Sequence, residues 1–183
     1  MNYAVLLAGG IGARFQNDNT PKQYVCLNGI PLLLYSLKTA QLNDNIDEVC
    51  VVAAKKYWDQ IWNWVEENDF SKVKKIAESG KERHESVYSG LKAIQADKSD
   101  TVMIMTSVCP LLSQNTINEH YRLIGQYAGV ITVIPATDAI TYSSDGKYAG
   151  RTLQKKRLFV QQGPQTYHYN ILLNAHEEYN ARK

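Results

Sequence analysis

The sequence predicts an α/β fold of the doubly wound kind, with a mostly parallel sheet covered by helices on both faces. Three observations predict it. Short apolar runs rich in β-branched residues recur along the chain, and amphipathic segments of helical length separate them. The first run also stops at adjacent glycines, at the carboxyl edge of a strand, where open α/β sheets place their ligands.

The elements follow in order. Residues 3–8 form the first strand, and 31–42 the first helix, with Leu33, Leu34, Leu37 and Ala40 along one face. Residues 48–54 read as a strand and 56–68 as a helix whose Trp58, Trp62 and Val65 share a face and belong to the core. A helix over 82–95, a strand over 101–105, a helix over 115–127 and a strand over 129–135 continue the alternation. All four apolar runs are expected as buried parallel strands joined by right-handed crossovers. Residues 141–158, TYSSDGKYAGRTLQKKRL, are polar and turn-rich through Ser144, Asp145 and Gly146, so an extended arm leaves the sheet there. The chain returns over 159–169, and a last helix begins at Asn170.

Composition narrows the class. A chain of 183 residues, 44% hydrophobic and 21% charged, is expected to be one soluble domain, residues 1–183, with one core. A formal charge of +2 is too mild and too evenly spread for a nucleic-acid binder. No apolar stretch reaches the roughly 18–20 residues of a membrane span, and no basic leader precedes the first strand, so a cytoplasmic protein is expected. Cys26, Cys50 and Cys109 are odd in number and not closely paired, which argues against a zinc site or disulfide framework. Cys26 and Cys50 are expected as core filler, and a catalytic thiol at Cys109 lacks a base near it in sequence.

Chemistry concentrates in VLLAGGIGAR, residues 5–14, and PKQY, residues 21–24. Gly9, Gly10 and Gly12 let the backbone turn tightly with its N–H groups bared, a nest for phosphate oxygens. Arg14 and Lys22 add cationic donors at the same edge, suited to a polyphosphate whose charge shifts during reaction. A dinucleotide fingerprint would want GxGxxG and a later acidic residue, whereas Gly9 and Gly12 lead to Phe15, Pro21 and Lys22. A nicotinamide-dependent oxidoreductase is therefore disfavoured.

LLAGGIGARF with PKQYVCLNGIPLL, followed in order by ESGKERHESVYSGL, PATDAI and QGPQTY, resembles the cytidylyltransferases acting on 2-C-methyl-D-erythritol 4-phosphate and ribitol 5-phosphate. The resemblance covers residues 2–175. It implies a three-layer fold, CTP over the glycine loop, Mg²⁺ as cofactor, a phosphorylated polyol as acceptor, and a homodimer whose arms, residues 141–158, exchange between subunits. It implies that Leu7, Ala8, Gly9, Gly10, Gly12, Gly80, Arg83, Ser86 and Ser107 hold the nucleotide, and that Arg14 and Lys22 stabilise triphosphate charge during attack on the α-phosphorus. Asp138 and Lys155 would meet the acceptor. Without the resemblance, Arg83 and Ser86 also fit the ordinary composition of a helix start.

The same comparison marks departures. Where the family's fourth strand ends in HDxxRP, residues 101–112 of this chain read TVMIMTSVCPLL, with Thr106 at the Asp position and Cys109 at the Arg position, before Pro110. A neutral hydroxyl is a poor sole partner for Mg²⁺, and a thiol offers no fork to a phosphate. Ala139 stands where Thr is frequent, Lys155 where an Arg is expected, and the family's further C-terminal acidic and Lys-bearing segments are not in this sequence. Two readings stay open: a cytidylyltransferase of either acceptor type, isoprenoid or cell-surface polymer, with AGVITVIPATDAI and TSVCP leaning to the ribitol type, or a nucleotide-binding relative with impaired catalysis.

Overall fold

The structure is a computed structural model that describes residues 1–10 and 20–182. Its frame is a six-stranded sheet of β1 (Asn2–Leu7), β4 (Glu48–Ala53), β5 (Val73–Glu78), β6 (Thr101–Thr106), β7 (Gly129–Pro135) and β8 (Phe159–His168), in the order β5-β4-β1-β6-β8-β7. Four strands run parallel: β1, β4, β5 and β6. β1 is central, so Leu7 lies beside Val52 on one side and Thr106 on the other, and all three strands end at one edge. A two-stranded ribbon, β2 (Cys26–Leu27) and β3 (Ile30–Pro31), lies outside the sheet.

Alternation along the strands sorts the core into two layers, because successive side chains point to opposite faces. Ala4, Leu6, Val49, Val51, Met103 and Met105 pack against α1 (Leu32–Gln41), α2 (Trp58–Glu67) and α4 (Gln114–Ile124). Tyr3, Val5, Cys50, Val52, Val102 and Ile104 pack against α3 (Arg83–Ile94) and α5 (Tyr169–Ala181). The three-layer arrangement follows directly. Val65 is buried, and Trp58 and Trp62 pack partly buried against the same layer, the indole of Trp58 donating to the Ala53 carbonyl at 3.0 Å. Among the described residues no helix is long and apolar enough to cross a membrane.

Three expectations change. The strand at 73–78 was not legible as an apolar run, because Lys74, Lys75 and Glu78 interrupt it. As an edge strand it has only one paired flank, and Lys75 turns its ammonium onto the carbonyls of Ala93 (2.7 Å) and Ile94 (3.2 Å) at the end of α3. The run at 129–135 is not a buried parallel strand. As β7 (Gly129–Pro135) it pairs antiparallel with β8 (Phe159–His168) at the opposite edge, leaving Ile131, Val133 and Ile134 exposed. β8 itself slots antiparallel between β6 and β7, so β-branched content identified a strand but not its neighbour. Cys26 is exposed on β2, whereas Cys50 is core, its thiol pushed up to about 12 by burial.

The arm begins at Ala136, whose N–H donates to Leu158, and folds into a hairpin through a Thr141–Thr152 bridge. The N–H groups of Tyr142 and Leu153 donate to the carbonyls of Arg151 and Ile140, each at 2.9 Å. The Asp145 carboxylate closes the tip by accepting from the N–H groups of Lys147 (2.9 Å) and Tyr148 (3.1 Å), which holds its pKa below the usual range. Its side chains stand in solvent, Tyr142 and Tyr148 among them.

Candidate functional site

The site forms where β1, β4, β5 and β6 end. Past Leu7 the chain is held from three sides. The Ala8 N–H donates to the Val52 carbonyl at 2.7 Å, and the Ala8 carbonyl accepts from Gln23 Nε2 at 2.6 Å. The Ser107 hydroxyl and N–H both donate to the Leu7 carbonyl, at 2.8 and 3.1 Å. Gly9 then passes so close to the end of β5 that a Cβ built on it would lie 2.1 Å from Ser79 Cβ. Glycine is required there by contact with the opposite wall.

The second wall is the β5–α3 turn. A Cβ on Gly80 would lie 2.3 Å from Glu85 Cβ, so this turn too is compact. Glu82 and Glu85 form a capping box: each carboxylate accepts the other residue's N–H, and Glu85 Oε2 also accepts from Lys81 N–H at 2.8 Å. The Ser86 hydroxyl donates to the Glu82 carbonyl (3.3 Å) and accepts from the Gly80 N–H (3.1 Å). Its donor is used and one acceptor lone pair remains.

Between the walls lies a cleft of about 580 Å³. Of the residues singled out from sequence, Leu7, Gly9, Gly10, Lys22, Gly80, Arg83, Ser86, Thr106 and Ser107 all line it. Ala8 sits behind them, fully buried, as the pivot of the turn. Gly12 and Arg14 lie outside the described residues. Asp138 and Lys155 are exposed on and beside the arm and do not line the cleft of their own chain.

Sequence reading missed Gln23, Ser79, Lys81 and Glu82, which also line the cleft. Gln23 and Lys81 were discoverable as immediate neighbours of Lys22 and Gly80, whereas Ser79 owes its place to β5. Lys22, Lys81 and Arg83 make the described lining cationic, since its one carboxylate, Glu82, is occupied as a helix cap. Such a surface receives a polyanion.

Among the described residues the donor set does not fit a protein-held Mg²⁺. Thr106 ends β6 with a neutral hydroxyl, Glu82 is committed to its cap, and among the described residues no three His, Cys, Asp or Glu side chains gather. Cys109 lies off the cleft, in a neighbouring hollow with Pro110, Leu112, Thr132 and Gly163. Burial raises its thiol pKa against the opposing charge of Lys22, which leaves it a protonated, poor nucleophile.

Comparison with known proteins shows the family and the fold. The family model described as IspD, 2-C-methyl-D-erythritol 4-phosphate cytidylyltransferase, matches residues 2–183. A 2-C-methyl-D-erythritol 4-phosphate cytidylyltransferase of Lachnospira eligens is 35% identical over 176 residues, covering 96% of this chain and 76% of its own. A ribitol-5-phosphate cytidylyltransferase of Streptococcus agalactiae serotype III is 26% identical over 180 residues, covering 97% of this chain and 75% of its own. The crystal structure of 4-diphosphocytidyl-2C-methyl-D-erythritol synthase from Anaerococcus prevotii shares the fold, with a TM-score of 0.83 at 23% identity, over 98% of this chain and 75% of that one.

Proposed function

The chain belongs to the 2-C-methyl-D-erythritol 4-phosphate cytidylyltransferase family, and on that premise we propose that it transfers CMP from CTP to a sugar- or polyol-phosphate, releasing pyrophosphate. The observation that carries the proposal is the convergence of the Gly9–Gly10 turn, Lys22, Gly80, Arg83 and Ser86 on one cleft at the ends of parallel strands. In the reaction an acceptor phosphate oxygen bonds to the α-phosphorus as the bridge to the β-phosphate breaks, and pyrophosphate departs with the electron pair. Such chemistry asks a protein chiefly for alignment and for cations aimed at the phosphoryl oxygens.

The residues divide that work. Bared N–H groups at Gly9 and Gly10 receive triphosphate oxygens, and the Lys22 ammonium follows the charge that grows on the leaving pyrophosphate. Arg14 would join it. Gly80, Arg83 and Ser86 form the base pocket, where the remaining lone pair on Ser86 suits the exocyclic amine of cytosine and finds no donor at that position of uracil. Leu7, Ala8 and Ser107 set the floor. Asp138 and Lys155 reach a cleft only if the arm crosses to a second copy, so a homodimer completes the acceptor side. The exposed apolar residues Ile131, Ile134, Tyr142 and Phe159 support that pairing. The greater identity to the Lachnospira eligens relative favours a methylerythritol phosphate acceptor over ribitol 5-phosphate.

The test is pyrophosphate release from CTP or UTP with each acceptor. CTP-dependent turnover is expected, and Lys22→Ala will lower it about 10²–10³-fold, the range for losing one charge-stabilising donor. No turnover with either acceptor counts against the proposal. Thr106 and Cys109 favour a second reading, a nucleotide-binding relative without efficient transfer. It expects CTP to raise Tm without turnover, and Thr106→Asp with Cys109→Arg to restore pyrophosphate release.

A further inference from the structure

We infer that Gln23 is a positioning residue that couples Lys22 to the glycine turn, so that the cation and the backbone donors act as one unit. This rests on the proposed nucleotide-transfer reading. Gln23 is 2% exposed, yet it borders the cleft, and its carboxamide reaches 2.6 Å across to the carbonyl of Ala8, fifteen positions earlier. A buried amide this committed is not needed to fill space, because the adjacent Tyr24 already anchors the segment, packing its ring 4.2 Å from Tyr57 and 6.1 Å from Trp64.

The peptide between Ala8 and Gly9 is planar, so its carbonyl and N–H point in opposite directions. Gln23 holds the carbonyl end, and the Val52 carbonyl holds the Ala8 N–H on the other side. The direction of the Gly9 N–H is thereby fixed, and among the described residues nothing accepts from it or from the Gly10 N–H. Lys22 and Gln23 sit in the same short 3₁₀ turn, Lys22–Tyr24, with Lys22 lining the cleft. This hydrogen bond therefore ties the Lys22 turn directly to the peptide that carries the bared N–H groups.

The consequence is energetic coupling. With the bond intact, Lys22 and the glycine donors address the same phosphates; without it, each acts alone. A misplacement of about 1 Å in such a constellation costs on the order of 10²-fold in rate.

A double-mutant cycle on the whole chain tests this, using Gln23→Met, which keeps length and volume but removes the donor, alone and with Lys22→Ala. kcat/KM for CTP in Gln23→Met is expected to fall about 10–100-fold, with kcat falling more than KM rises. Lys22→Ala will then cost much less in the Gln23→Met background than in the native one. Additive losses, or native kcat/KM in Gln23→Met, overturn the proposal. A readout independent of turnover and of variant folding uses the native protein: ¹⁵N resonances of Gly9, Gly10 and the Gln23 side-chain amide, followed as CTP is added. All three are expected to move with one midpoint, and a Gln23 amide that stays fixed while the glycines shift refutes the coupling. If no acceptor supports turnover but the three resonances move together, the transfer reading fails and the coupling stands.

Discussion

Replacing Gly9 with alanine probes the contact that joins the two walls of the cleft. The new Cβ would sit 2.1 Å from Ser79 Cβ and 2.6 Å from Ser79 Oγ, where carbon atoms normally rest about 3.5–4.0 Å apart. Gly9 is not among the residues with positive φ, so alanine meets no backbone penalty and the cost is steric alone. Relief requires the β1 and β5 ends to separate by about 1.5 Å, an overpacking that costs about 1–3 kcal/mol. For a chain of this size that is a fall in Tm of about 2–12 °C, and a displacement of this order at a phosphate site costs about 10²-fold in kcat/KM for CTP. Ser79→Gly removes both clashing atoms and leaves Ser79 Cα 3.5 Å away, an ordinary contact. The Gly9→Ala/Ser79→Gly pair is therefore expected to regain most of the lost Tm and much of the activity. Thermal unfolding and pyrophosphate release of both variants decide the matter. A single variant as stable as the native chain, or a pair no better than the single, refutes the contact argument.

Other perturbations follow from the core. Gly90→Ala would place a Cβ 2.5 Å from Val5 Cγ1 and 2.9 Å from Val52 Cγ2, so calorimetry will show a loss of about 1–3 kcal/mol, partly recovered by Val5→Ala. His120 is buried between the hydroxyls of Thr166 (2.9 Å) and Thr132 (2.8 Å), and burial lowers its pKa below the unfolded value. The folded state thus binds fewer protons, its advantage is complete above about pH 6.5 and is lost as pH falls from there; Tm measured from pH 7 to 5.5 will decline, and less steeply in His120→Gln. Thiol titration of the native protein will modify exposed Cys26 first and Cys109 later, while Cys50, held at about 12, reacts only on unfolding.

Much of this molecule was legible in its sequence because its signals are local. α3 starts and ends within a residue of its expected span, since Glu82 and Glu85 cap one end and Gln95 takes a left-handed conformation at the other. Part of the cleft was legible for the same reason: Gly9 and Lys22 lie in short motifs with their own chemistry, whereas Gly80 and Arg83 were singled out through the family resemblance alone. Partnership between distant segments was not. Nothing in residues 129–135 says that a strand thirty positions later will sit between them and β6. Lys74 and Lys75 conceal β5, and with it Ser79. Gln23 looked like one letter of a motif until its amide was found on Ala8.

The Ser107 hydroxyl on Leu7 spans one hundred positions of chain, and this gives the cleft a place in time. A nascent polypeptide carries the glycine turn, Lys22 and α3 well before β6 is made, yet the floor beneath them waits for that strand to close a long loop against β1. Nucleotide affinity will consequently switch on late and abruptly as the chain lengthens past Ser107. CTP then acts as a reporter of the β1–β6 closure, and at a hundred times its Kd it adds about 2.7 kcal/mol to the finished fold while leaving the early steps untouched.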